Sequence, residues 1–280
     1  MIDITHKEAC DFAKLTMLVY EYGKTFTIDK DMNLESFVSN ENLSNTINNP
    51  VRLEAIQSLA EGSPHGKVHS FFNIESTDLQ VGITISEVNK RITVVFRGSE
   101  SRSDWYYDLS LLKVKLQDDV YVHSGFYNQL HKEGTYEKIK DEIVSLLEEH
   151  PDYKVFITGH SLGGALSTLF GYELSKIITE TITVISFASP RVGNSYFRKH
   201  FDEQDNLNHY RISNEKDVVT AVPMINYQHV GINISLNNKN FEIFENYSYN
   251  TWLKFSLFYC WKVSEHNMDL YYERLLRYKW

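Results

Sequence analysis

The sequence predicts an α/β fold, a mostly parallel central sheet flanked by helices. Three stretches carry this prediction. Tyr153 to Ser175 reads as strand, tight turn and helix. β-Branched and aromatic Val155-Phe156-Ile157-Thr158 leads into Gly159-His160-Ser161-Leu162-Gly163, and apolar Leu162, Ala165, Leu166, Leu169 and Leu174 then recur at near-helical spacing. Ile92-Thr93-Val94-Val95-Phe96 reads as a central strand buried on both faces. Between them, Val120 to Phe126 leads into one long helical pattern through Leu147, with Ile139, Ile143, Leu146 and Leu147 on its buried side. That helix supplies the crossover that parallel neighbours need.

The remaining elements follow in order. Residues 3–20, with Ala9, Phe12, Ala13, Leu15, Met17 and Leu18, predict an N-terminal helix. Asp29 to Pro50 is polar and asparagine-rich, a loop with one short helix at most, and Leu53 to Leu59 suits another. Lys67 to Ile74, Leu79 to Ser86 and Arg91 to Arg97 are β-rich, with a hairpin turn at Glu87-Val88-Asn89-Lys90. Ile182 to Phe187 is a further buried strand, ending in a turn that starts a helix through Phe201. His209 to Ser213 reads as a strand, His229 to Leu236 and Phe241 to Phe244 as a hairpin, and the residues after Asn267 as a final helix. The whole, 1–280, reads as one domain with an N-terminal helical segment over about residues 1–60 packed on it.

Composition narrows the function. A chain of 280 residues that is 42% hydrophobic can bury a large core. A net charge of −9 without a basic run argues against a nucleic-acid partner. Cys10 and Cys260 are too few for a disulfide framework and read as free buried thiols. The N-terminus lacks the basic and apolar regions of a secretory signal, and no stretch has the length of a membrane span. The expected location is therefore cytoplasmic, with peripheral contact at a membrane or lipid-droplet surface as the membrane-linked option. Asn42, Asn233 and Asn246 fit the glycosylation pattern as chance matches in an asparagine-rich chain.

The chemistry sits at the turn. Gly159, Ser161 and Gly163 form G-x-S-x-G, a serine at a strained apex between a strand and a helix that pass too close for flanking side chains. Ser161 is the expected nucleophile, and the first amides of the following helix point where an oxyanion would form. The loop Arg97-Gly98-Ser99 lies where a second oxyanion donor is expected, and Ser99 can supply it. The aromatic segment after it, from Trp105 to Leu109, is a short lid candidate.

A serine hydroxyl needs a base, and the base needs an orienting acid. With the chain order serine, acid, histidine, the acids after Ser161 include Asp202, Asp205, Asp217 and Asp269. Asp217 lies in a loop just beyond a strand; Asp202 and Asp205 suit a solvated helix end, and Asp269 follows every plausible base. Of His200, His209, His229 and His266, the first two precede Asp217. His266, in a late loop, is favoured over His229, which begins a strand.

At these residues the chain resembles the class 3 lipase family of α/β-hydrolases. The matching pieces are VVFRGS at Val94–Ser99, DWYYDL at Asp104–Leu109, VHSGFY at Val122–Tyr127 and GHSLGGALS at Gly159–Ser167. FASPRVGN at Phe187–Asn194, NEKDVVTAVP at Asn214–Pro223 and EHNMDLYY at Glu265–Tyr272 complete the set, all in the family's order. The resemblance implies an α/β-hydrolase fold with Ser161, Asp217 and His266 as triad, Ser99 and Leu162 as oxyanion donors, and a mobile lid following Ser99. It implies hydrolysis of acylglycerol or related lipid esters without metal or organic cofactor. Phospholipase A1 or acyltransferase activity is the neighbouring option, and a silent lipid- or partner-binding scaffold is the option from another class. The aromatic tract from Trp252 to Trp261 reads as core or packed strand, with an acyl-chain cradle as its functional alternative.

Overall fold

The computed structural model describes residues 3–21, 41–60, 64–98, 112–245 and 262–280. Ser99, the lid segment, Cys260 and the aromatic tract lie outside the described residues.

Eight strands form the main sheet: β1 (Lys67–Ile74), β2 (Leu79–Ser86), β3 (Arg91–Phe96), β6 (Lys154–His160), β7 (Ile182–Phe187), β8 (Leu207–Asn214), β9 (Ile232–Leu236) and β10 (Phe241–Phe244). They lie in that order. The run β3–β6–β7–β8–β9 is parallel, while the edges β1–β2–β3 and β9–β10 are antiparallel. The parallel strands are covered on both sides, which accounts for their continuous apolar runs. β3 is buried along its whole length, as its sequence predicts.

Alternation along the strands divides the core between two faces. Val94 and Phe96 belong to one apolar cluster with α4 (Ser124–His131), α5 (Thr135–Glu149), α6 (Leu162–Leu174) and α7 (Ser195–Asp202). Val95, Ile185, Phe187, Tyr210 and Ile212 belong to the other. Its helices are α1 (His6–Val19), α3 (Pro50–Gln57) and α8 (Met268–Arg277), with the short α2 (Glu41–Thr46) between the first two contributing Leu43. Local chemistry sets the helix starts. Thr5 and Glu8 form a capping box on α1, Asn49 caps α3 ahead of Pro50, and Asn267 caps α8.

Three features differ most from the sequence reading. The long helix expected through Leu147 is broken at Lys132–Gly134, where Glu133 and Gly134 take positive φ values of 57° and 68°. Ahead of it, β5 (Val120–His123) pairs with β4 (Lys113–Gln117) in a separate two-stranded sheet that the sequence did not announce. The strand expected from His229 starts instead at Ile232. Gly231 has φ +70°, and a Cβ there would stand 2.4 Å from the His209 carbonyl oxygen, so the chain turns before it can pair. Cys10 is a free buried thiol, pushed up to about 11 chiefly by burial. Asn233 is buried and accepts from Ser213, which suits a chance glycosylation match.

Two buried histidines make the fold sensitive to acid. Burial holds His65 down at about 3 and His209 well below its ordinary 6.5. Both folded values lie below the unfolded one, so the unfolded chain binds protons first. Their stabilising contribution is complete above about pH 6.5 and is lost as the pH falls below it. At about 1.4 kcal/mol per pH unit below the unfolded value, His65 alone costs about 2 kcal/mol between pH 7 and pH 5, and His209 adds to it in the same direction. Urea unfolding at these two pH values checks this. The double variant His65→Gln, His209→Gln is expected to lose most of the difference, and an unchanged difference contradicts the assignment.

Candidate active site

The turn between β6 and α6 is sterically over-determined. Ser161 adopts φ 59°, ψ −124°, a strained conformation for a residue with a side chain. A Cβ on Gly159 would lie 2.4 Å from the Gly163 carbonyl oxygen, and one on Gly163 would lie 2.3 Å from that of Phe96. Strand β3, the turn and the first turn of α6 are therefore pressed together, and glycine is required at both positions. The Ser161 N–H donates to the Phe187 carbonyl at 2.9 Å, which fixes the apex against β7. The next amide, Leu162, opens α6, where N–H groups have no intrahelical acceptor and the helix dipole favours negative charge.

Three side chains distant in sequence meet here. His266 Nε2 is 2.8 Å from Ser161 Oγ, and His266 Nδ1 is 2.8 Å from Asp217 Oδ2. All three are buried, with Asp217 fully inaccessible. Carboxylate oxygens accept, so Nδ1 carries the ring proton and Nε2 is left to accept from the serine hydroxyl.

Residues 93–227 match the family model described as Lipase (class 3). Over this segment the chain is similar to the class 3 lipase family. Among curated proteins it is similar to secreted mono- and diacylglycerol lipase A of Penicillium cyclopium, 27% identical over 170 residues that cover 59% of this chain and 53% of that one. It is also similar to phospholipase A(1) DAD1, chloroplastic, of Arabidopsis thaliana, 35% identical over 159 residues, 50% of this chain and 35% of that one. The chain thus spans about half and about a third of these relatives' lengths. Among solved structures, the lipase from Rhizopus microsporus var. chinensis superposes with TM-score 0.70 at 22% identity, covering 93% of this chain and 85% of that one, a likeness of fold. The class 3 lipase family and α/β-hydrolase fold expected from the motifs are both borne out.

The acid loop is tied down at several points. Asp217 Oδ1 accepts from the Val219 N–H at 2.9 Å, and Thr220 donates to the Asp217 carbonyl at 2.9 Å. Arg191 donates to the carbonyls of Ala221 and Pro223. The Lys262 N–H donates to the Lys216 carbonyl at 3.1 Å, joining the histidine loop to the acid loop. The Asn214 side chain donates to the Glu265 carbonyl at 2.8 Å, a second tie beside the histidine.

The other acids and histidines weighed from the sequence stay apart. Asp202 faces Arg198 on the exposed side of α7, and Asp205 is exposed. Asp269 pairs with Arg52 at 2.7 Å and accepts from Asn49. His200 lies by Glu203, and His209 is buried against Ser186. His229 donates to the Thr220 carbonyl at 2.6 Å, beneath the acid loop. Among the described residues no group of three or more His, Cys, Asp or Glu side chains is placed to hold a metal ion, and no helix is long and apolar enough to cross a membrane.

Sequence reasoning missed Tyr271, to which it gave no role beyond a place in the final helix. Its hydroxyl donates to Asp217 Oδ2 at 2.7 Å and accepts from the Asn214 N–H at 2.8 Å. Burial, then the Asp217 charge, push this hydroxyl well above the ordinary tyrosine range, so it remains a donor. A polar-tipped aromatic on the buried face of a helix that starts beside the expected base is the signal that could have found it. Tyr271→Phe leaves the Asn214 N–H unsatisfied and removes one donor from the carboxylate. We expect kcat to fall about tenfold, the equivalent of one hydrogen bond, with stability reduced by about 1–3 kcal/mol. Steady-state kinetics and urea unfolding of the variant check both values.

Proposed function

We propose that this chain is a serine esterase or lipase that hydrolyses carboxylic ester bonds of lipids through an acyl-enzyme. The observation that carries the reading is the hydrogen-bonded series from Ser161 through His266 to Asp217 at the mouth of a helix N-terminus. In this reading His266 Nε2 takes the Ser161 proton as Oγ attacks the ester carbonyl. Asp217 keeps the proton on Nδ1 and offsets the charge that forms on the imidazole. The Leu162 N–H, with Ser99 as the second donor, binds the developing oxyanion, where loss of one donor costs about 10²–10³-fold in rate. His266 then gives its proton to the leaving alcohol. Water enters by the same base, attacks the acyl carbonyl and regenerates the serine. The roles need no metal or organic cofactor.

Relatives named as mono- and diacylglycerol lipase and as phospholipase A1 support a glycerolipid substrate, and the two names set the alternatives. A panel of mono-, di- and triacylglycerols and diacyl phospholipids, with fatty acid release followed by mass spectrometry, tests the reading. The expected result is release from at least one glycerolipid, abolished in Ser161→Ala. Addition of an alcohol separates hydrolysis from acyl transfer, because a transferase yields the new ester in preference to the acid. Flotation with phosphatidylcholine vesicles tests peripheral contact with a lipid surface. A chain that leaves every ester on the panel intact contradicts the proposal.

A further inference from the structure

Helix α1 ends on Tyr20, far outside the segment that matches the family model, and its hydroxyl reaches the middle of the site. Tyr20 Oη is 2.9 Å from His160 Nδ1, and His160 Nε2 is 2.9 Å from the carbonyl oxygen of His266. A carbonyl can only accept, so His160 carries its proton on Nε2. In the neutral ring Nδ1 then accepts a hydrogen bond from the Tyr20 hydroxyl. With a neutral His160 the series runs Tyr20 O–H to His160, His160 N–H to the backbone of His266.

The same hydroxyl also meets Gly98. A Cβ on Gly98 would stand 2.1 Å from Tyr20 Oη and 2.5 Å from the His160 carbonyl oxygen. Gly98 therefore packs directly against both groups, one residue before Ser99. Helix α1 is itself locked to the sheet on this face. Thr16 Oγ1 lies 3.3 Å from Thr158 Oγ1, and Thr158 and His160 share one side of β6 by strand alternation. The His160 and His266 rings lie 4.6 Å apart between centroids, with the Tyr271 ring 5.9 Å from His160.

We infer that Tyr20 and His160 are positioning residues for the base: they hold the His266 backbone so that its ring spans Ser161 and Asp217. This inference rests on the esterase reading above. Their hydrogen bonds described above run to each other and to the His266 backbone. Their effect comes through the placement of His266 Nε2, and a shift of about 1 Å in a reacting group costs about 10²-fold in rate.

Kinetics on a soluble ester, together with the rate of fluorophosphonate labelling at Ser161, test the inference. Tyr20→Phe is expected to lower kcat and the labelling rate about tenfold while KM stays within about twofold. His160→Leu is expected to lower both about 100-fold. His160→Gln, whose amide N–H reaches where Nε2–H stood, is expected to recover about tenfold of that loss. A purely structural role would shift melting temperature without this split or this rescue. Two results overturn the inference: Tyr20→Phe with unaltered kcat and labelling rate, or His160→Gln no better than His160→Leu. If His160→Leu does not fold, Tyr20→Phe and His160→Gln decide alone. An active native chain with unaffected variants removes only this inference, whereas a native chain inert to esters and fluorophosphonate removes the esterase reading and this inference with it.

Discussion

Ser161→Ala is expected to lower ester hydrolysis about 10⁶-fold, down to what binding and the oxyanion donors alone supply. Among the described residues the hydroxyl is hydrogen-bonded to His266 Nε2 at 2.8 Å. Alanine keeps the Cβ and so keeps the strain of the φ 59° apex without adding to it. The Ser161 N–H bond to Phe187 is a backbone feature and survives. Loss of rate should therefore come without loss of fold, with stability within about 1 kcal/mol of the native chain. Paired measurement of kcat and of the urea midpoint checks this. Residual activity within about 10²-fold of native would mean another group attacks the carbonyl.

Asp217→Asn is expected to lower kcat about 10⁴-fold, and for a different reason. The Oδ1 position accepts the Val219 N–H, so the amide oxygen belongs there. The amide nitrogen then faces His266 Nδ1 and the Tyr271 hydroxyl, both donors to Oδ2 in the native chain. Tyr271 can turn and accept. The imidazole can only adjust by moving its proton to Nε2, which points N–H at Ser161 and leaves no base for the hydroxyl. Single-turnover kinetics with an activated ester checks the value. A loss of less than about tenfold would show that the ring proton is not fixed by Asp217.

Much of this arrangement was legible in the sequence, and the legible parts share a cause. The glycines around Ser161 are demanded by backbone contact, so they leave a fixed spacing. The buried parallel strands are continuous apolar runs, and their limits agree with the structure to within a residue or two for β3, β6, β7 and β8. Asp217 and His266 could be singled out because chain order and loop position exclude most competitors.

What escaped notice lacks a local signature. Tyr20, His160 and Tyr271 look like ordinary residues of a helix or strand until the fold brings their polar tips to one place. The break at Glu133–Gly134 interrupts a helix whose apolar spacing continues on either side, so periodicity alone runs through it. The β4–β5 hairpin does alternate, with Val114 and Leu116 between Lys113, Lys115 and Gln117, but its strands are only five and four residues long and are easily read as part of the neighbouring loop and helix.

The central claim is that Ser161 is an activated nucleophile served by His266. Its most direct test is exposure of the native chain to a fluorophosphonate at neutral pH, with the adduct located by peptide mass spectrometry. The account predicts one adduct, on the peptide holding Ser161, absent from Ser161→Ala and formed far more slowly in His266→Ala. No adduct on the folded native chain, or an adduct elsewhere that persists in Ser161→Ala, would contradict it.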